Sequence, residues 1–295
     1  MGCRVGFREQ QQARRGALDG RVALVTGSTS GIGAAIARGF VREGARVVVT
    51  GRRVAEGEAV ARRLGPDARF VAADLLDDGA SRDVVARTVE WFGRIDILVN
   101  NAGAPGQAVS VTDLDLADFD RALAVHVRAP LALIQHAARH MLPRRSGSII
   151  NVASVSGLRA GFSGPDYSIA KAAMVHLTRC AAVDLGQSGI RVNTISPGPV
   201  ATGIHAKAVG AAGAAAEEVP DEPLFAQFLP QFQPDPHIGR PADVAATAVF
   251  LASAGARLIN GENIVVDGAL SAGRPWSVAE AEHTAMEQAV QATGG

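Results

Sequence analysis

The chain has 295 residues, a formal net charge of zero from 29 basic and 29 acidic side chains, and 47% apolar against 20% charged residues. That length suits one large α/β domain or at most two small ones; the composition excludes a disordered chain, and the charge balance excludes a general electrostatic grip on nucleic acid or an anionic membrane. Two cysteines, Cys3 and Cys180, are too few for a disulfide framework and fit a reducing cytoplasm, and no apolar window is long enough to span a membrane.

Residues 1–19 are polar and rich in Arg and Gln, without the apolar run of a signal peptide. Met1-Gly2 suggests myristoylation, but Gly6 stands where Ser or Thr is required. Arg14-Arg15 resembles a twin-arginine signal, yet no hydrophobic region follows. Residues 1–17 are therefore expected to be a disordered extension or the product of a misplaced start codon.

From residue 18 onward, short apolar runs alternate with helix-period stretches. Strands are expected at 22–26, 46–50, 69–73, 95–100, 148–152, 191–195 and 263–266, and helices at 31–43, 54–64, 80–92, 115–141, 165–187 and 241–253. Strands this hydrophobic, separated by helices, predict a single doubly wound Rossmann-like α/β domain over 18–270. Its seven-stranded parallel sheet would be covered by helices on both faces. Two regions break the pattern. Residues 203–238 are first Ala/Gly-rich and then interleave Phe225, Phe228 and Phe232 with prolines; they are expected to form a lid over a substrate. Residues 271–295 are expected to be a helical extension, opened by a Ser277/Glu280 capping box and so weakly apolar that a partner subunit is expected to order it.

The first strand runs into Thr26-Gly27-Ser28-Thr29-Ser30-Gly31-Ile32-Gly33. Glycine lets the backbone turn sharply and approach a pyrophosphate, which the free N–H groups of the following helix would meet. Tyr167 and Lys171 are four residues apart on an expected helix and so share a face. A phenol with a pKa near 10 needs a nearby positive charge before it can serve as a base, and Lys171 supplies one. Tyr167 is the only tyrosine, and Lys171 and Lys207 are the only lysines. His136 and His140 form an i, i+4 pair with no third ligand of matching spacing, so they are read as helix surface and no metal site is expected.

With its T-G-x-x-x-G-x-G spacing, the cradle resembles that of the short-chain dehydrogenase/reductases, in their form of about 250 residues. The resemblance extends in order through Asn100-Asn101-Ala102-Gly103, Ser154, Tyr167-Ser168-Ile169-Ala170-Lys171 and Pro197-Gly198-Pro199-Val200-Ala201-Thr202, and covers roughly 18–270. It implies hydride transfer between a nicotinamide cofactor and a secondary alcohol or ketone. It also implies Ser154, Tyr167 and Lys171 as the chemical site. Asn101, Ala102 and Gly103 would lie beside the adenosine ribose, and Asp74 and Leu75 beside adenine. Pro197, Gly198, Val200 and Thr202 would lie at the nicotinamide. A homotetramer or homodimer packing the helices 115–141 and 165–187 is implied too.

His126 occupies the slot where the family commonly has asparagine. Pro130 has no N–H to give to the carbonyl of His126, so that carbonyl could still hold the relay water the resemblance implies. If the imidazole itself takes part, it should titrate near 6.5. The second strand ends in Gly51-Arg52-Arg53, with glycine in the acidic slot of NAD enzymes. Arg52, followed by Arg53, would pair with a 2′-phosphate, which favours NADP(H) while leaving NAD(H) possible. The phenylalanines of the lid favour an apolar or cyclic substrate. Two other readings stand beside this one: a nucleotide-binding regulator that has lost catalysis, for which His126 is the only support, and a sugar-nucleotide epimerase, against which the glycine spacing counts.

Overall fold

The strands alternate their side chains between two buried faces. In the computed structural model, which describes residues 16–202 and 228–293, Ala23 and Val25 of β1 (Val22–Thr26) join one core while Leu24 joins the other. Val47, Val48 and Val49 of β2 (Arg46–Gly51) divide the same way, as do Ile97, Leu98 and Val99 of β4 (Ile97–Asn100). This is the period-two pattern of a sheet buried on both sides.

With β3 (Ala68–Ala72), β5 (Gly147–Val152), β6 (Ile190–Pro197) and β7 (Asn263–Val266), these strands form one parallel sheet in the order β3-β2-β1-β4-β5-β6-β7. The first face is covered by α1 (Gly31–Arg42) through Ile36 and Phe40, and by α7 (Pro241–Ala252) through Val244, Ala248 and Leu251. The second is covered by α3 (Ala80–Phe92), α5 (Ala129–Met141) and α6 (Pro165–Gly186), which bring in Val84, Val85, Leu133, Ile134, Met141 and Ala182. Helix α2 (Val54–Leu64) links β2 to β3. The strand order reverses beside β1, whose neighbours are β2 and β4, and it is at the carboxyl ends of such a switch point that open α/β sheets bind ligands.

The expected doubly wound domain is present, with three local differences. Strand β3 lies one residue earlier than expected, β4 begins at Ile97, and β6 continues through Pro197. The expected helix 115–141 is three pieces: α4 (Leu116–Leu123), a π turn at Ala124–Arg128, and α5. The Ala129 N–H reaches back five residues to the Ala124 carbonyl. Pro130, next in line, has no N–H and cannot continue a regular ladder. Finally, α8 (Trp276–Thr293) starts before Ser277, which therefore lies inside the helix and not at its cap; none of its residues is buried.

Of the expected lid, residues 203–227, including Phe225, lie outside the described residues, as do residues 1–15 of the expected extension. In the remainder, Leu229 is buried, Phe232 half-buried and Phe228 half-exposed around a short 3-10 turn. The buried Gln233 donates to the carbonyls of Asp235 and His237 and fastens this stretch.

Candidate active site

The turn after β1 is braced from within. Thr26 Oγ1 donates to the Val99 carbonyl and accepts from the N–H groups of Asn101 and Ala102 at 3.0 and 3.1 Å. Ser28 Oγ donates to the Val25 carbonyl and accepts from Thr50 N. Asn101 gives its amide to the carbonyls of Thr26 and Gly27, so its side chain holds the cradle. Gly27 has φ +60°, and a Cβ there would fall 2.6 Å from Ala102 Cα. A Cβ at Gly33 would fall 2.4 Å from the Gly27 carbonyl oxygen. Only glycine leaves this backbone open. Ser30 caps α1 without a side-chain bond to its first turn, and the positive end of the helix points into the cradle. Thr202 lies beside Gly31, 3.4 Å from where its Cβ would be. The cradle thus fits a dinucleotide pyrophosphate: open glycine backbone, a helix N-terminus, and hydroxyls already engaged with the main chain.

The two arginines after β2 part company. Arg53 folds onto the cradle, donating to Thr29 Oγ1 and Ser30 Oγ at 3.1 and 2.6 Å. The largely exposed Arg52 turns instead to Asp74, 3.6 Å away. Asp74 also accepts from Leu76 N, capping its own turn, while Leu75 packs against the second core. A Cβ at Gly51 would fall 2.8 Å from Thr29 Cγ2, so a larger residue in that slot would have to displace the Thr29 side chain. At the end of β6 and beyond it, Pro197 and Val200 are buried, Val200 bridges to Gly239, and Gly198 lies against Asp267.

Ser154, Tyr167, Lys171 and His126 meet at the carboxyl ends of β4 and β5. Ser154 caps a 3-10 turn at Val155–Gly157, accepting from Ser156 N, and is hydrogen-bonded to Tyr167. Lys171 lies one turn beyond Tyr167 on α6. Its Nζ donates to the Val152 carbonyl at 2.8 Å and stands 5.4 Å from the centre of the Tyr167 ring. Burial pushes the phenol up to about 12, against which the Ser154 bond acts weakly, and lowers the lysine to about 7. A phenol so placed is a proton donor at neutral pH.

His126 is 1% exposed, with Nε2 3.1 Å from the Ala104 carbonyl oxygen and its ring edge-on to Tyr167 at 5.1 Å. Burial first, and then the Lys171 charge, hold it well below the usual histidine range in spite of the Ala104 bond. That environment favours the neutral imidazole.

Three bracing residues give little sign of their role in the sequence. Asp166, buried, accepts from Gln107 N with both carboxylate oxygens; its place ahead of Tyr167 in the first turn of a Pro-initiated helix is a faint signal. Asn100 and Asn151 bond to each other across β4 and β5. Among the described residues, no group of three or more His, Cys, Asp or Glu could hold a metal ion, and no helix is long and apolar enough to cross a membrane.

Comparisons with known proteins agree in kind. A family model described as enoyl-(acyl carrier protein) reductase matches residues 27–271. Momilactone A synthase of Oryza sativa subsp. japonica is 40% identical over 256 residues, covering 86% of this chain and 91% of that protein. Short-chain dehydrogenase reductase 4 of Arabidopsis thaliana is 36% identical over 267 residues, covering 90% and 87%. (+)-Borneol dehydrogenase 2 of Salvia officinalis is 37% identical over 252 residues, covering 84% and 88%.

Proposed function

From the premise that the chain belongs to the short-chain dehydrogenase/reductase family, a family of NAD(P)(H)-binding oxidoreductases, we propose that it interconverts a secondary alcohol and its ketone with NADP(H). The observation that carries this reading is the meeting of Ser154, Tyr167 and Lys171 beside the cradle.

When bound, the nicotinamide supplies or accepts the hydride. The chain's own residues handle the proton. In reduction, Tyr167 Oη–H donates its proton to the carbonyl oxygen, and the Ser154 hydroxyl hydrogen-bonds the same oxygen. The protonated Lys171 lowers the cost of the phenolate that results. In oxidation, the phenolate takes the alcohol proton back. Gly27, Ser28, Thr29, Ser30, Gly31, Ile32 and Gly33 would hold the pyrophosphate and its flanks, and Asp74, Ala102 and Gly103 the adenosine side. Val200 and Thr202 would hold the carboxamide. The preference for NADP(H) rests on the missing carboxylate at Gly51 and on Arg53, already seated over Thr29 and Ser30.

An apolar or cyclic substrate is supported by Phe228 and Phe232, and by a relative named for dehydrogenating (+)-borneol, a cyclic alcohol. Leu116, Leu131, Ile169 and Val183 leave apolar surface on α4, α5 and α6, which supports a homo-oligomer built on those helices. Two cysteines in 295 residues, too few for a disulfide framework, support a reducing, cytoplasmic setting.

The test is NADPH and NADH oxidation with a panel of cyclic and open-chain ketones, with Tyr167→Phe as the control. NADPH should be consumed with at least one cyclic ketone, and the variant should lose about 10²-fold or more in kcat while binding NADPH normally. Ketone-dependent consumption no faster in the wild type than in Tyr167→Phe would refute the assignment.

A further inference from the structure

Residues 103–107 form an irregular strap between β4 and α4 that crosses directly over Tyr167. A Cβ at Gly106 would lie 2.5 Å from Tyr167 Cβ, and one at Gly103 would lie 2.6 Å from His126 Cε1, so the strap's backbone rests on both side chains. The strap belongs to no strand or helix. Side chains hold it instead, one on each side of the tyrosine. The Ala104 carbonyl lies 3.1 Å from His126 Nε2, and Gln107 N donates to Asp166 Oδ1 and Oδ2 at 3.2 and 3.3 Å. Both holding residues are buried, at 1% and 3% exposure.

The chemistry of the first bond is one-sided. A carbonyl oxygen can only accept, so His126 Nε2 carries the hydrogen, and in the neutral ring Nδ1 is left with a lone pair. Nδ1 is buried and has no hydrogen-bond partner among the described residues. The imidazole therefore works through Nε2, and through its edge-on contact with the Tyr167 ring.

We infer that His126 and Asp166 are positioning residues that pin the strap 103–107 across Tyr167 and so fix the pocket wall beside which the substrate carbonyl meets the phenol. The inference rests on the reading of Tyr167 as the proton donor, and it makes a prediction about residue 126 that side-chain size alone does not. Glutamine carries its amide nitrogen about where imidazole Nε2 lies and can still donate to Ala104. Asparagine places its amide near Nδ1, where no acceptor waits. Glutamine should therefore replace His126, and asparagine, although the commoner residue of the family, should not.

The test combines hydrogen–deuterium exchange of the 103–109 peptide, read without substrate or cofactor, with steady-state kinetics. His126→Gln and Asp166→Asn should keep wild-type exchange there, because each can retain its bond to the strap. His126→Asn and Asp166→Ala should exchange about tenfold faster, the effect of one lost buried hydrogen bond, while peptides from β1 and β5 remain unchanged and report intact folding. With a ketone that turns over, the two loosened variants should lose about tenfold or more in kcat/KM, with NADPH Kd within about twofold of wild type. Wild-type exchange in His126→Asn, or equal loosening in His126→Gln, overturns the strap. Loosened exchange with unchanged kcat/KM overturns its positioning role. If exchange behaves as expected but the wild type reduces no ketone, the proposed function fails and the strap stands.

Discussion

Lys171 is fully enclosed, and its amine is pulled down to about 7 by that burial. A base whose pKa falls on folding binds fewer protons folded than unfolded between that value and its ordinary 10.5. Folding is therefore opposed most fully below pH 7, and the burden lifts as pH rises through this window. Lys171→Met should abolish turnover yet raise Tm at neutral pH, and the gain should shrink toward pH ~10, where the unfolded lysine also begins to lose its proton. A variant less stable than wild type at neutral pH would show that the bond to the Val152 carbonyl outweighs the buried charge. The paired arginines make a second test. Arg53 sits on Thr29 and Ser30, whereas Arg52 is largely exposed beside Asp74. Arg53→Ala should weaken NADPH binding by roughly ten- to a hundredfold and NADH binding little; Arg52→Ala should do less, because an exposed pair is screened by solvent. Equal losses for both cofactors in Arg53→Ala would show that it does not read the 2′-phosphate. The sequence placed two arginines at the end of β2 but did not say which one faces the cradle. That choice depends on hydroxyls 23 and 24 residues away in the chain.

Helix α6, which carries Tyr167 and Lys171, is tied to the sheet by a buried polar chain. Asn100 Nδ2 donates to Asn151 Oδ1, Asn151 Nδ2 donates to Thr178 Oγ1, and Thr194 Oγ1 donates to the same hydroxyl. All four residues are at most 1% exposed. Removing the middle member strands partners on β4 and α6 together, and an unpaired buried polar group costs more than its bond contributed. Asn151→Ala should therefore destabilise by about 2–4 kcal/mol in denaturant unfolding, and a loss below about 0.5 kcal/mol, the level of a neutral surface change, would mean that water replaces the amide. The strands themselves were legible as β-branched runs, because a sheet covered on both faces needs apolar side chains at every position. The π turn was not. Apolar spacing through 115–141 fits one continuous helix, and only the missing N–H of Pro130 hints at the break. Nor was the role of Asn151 legible, since an asparagine inside a strand run gives no sign of its partners on β4 and α6. Tyr167 and Lys171 were legible through their spacing and the scarcity of Tyr and Lys, and Ser154 only through the family resemblance; Asp166, a common residue in a helix first turn, was not legible.

At the scale of the whole molecule, the folded unit ends where the sheet does. Asp267, just past β7, caps the following turn through Ala269 N and Ser271 N, and Arg159 donates to the Ser271 carbonyl at 3.2 Å. Helix α8 then leaves without burying a single residue, and Trp276, Met286 and Val290 are each more than 60% exposed. Its ion pair, Arg274 to Glu282, lies within the extension itself and is half exposed, so it adds little to global stability. Since stability follows apolar area removed from water, truncation after Arg274 should leave Tm within about 2 °C of the full chain, a loss of no more than about 1 kcal/mol at the roughly 2–4 °C per kcal/mol expected at this size. It should also leave kcat/KM unchanged, because the turn after β7 and its Asp267 cap are retained. Sedimentation of both proteins at the concentration of the melting experiment completes the test. Should Tm fall by more than about 5 °C, roughly 1–2 kcal/mol, the helix must bury apolar surface that the single chain does not show. A parallel drop in oligomer size would place that surface on a second copy.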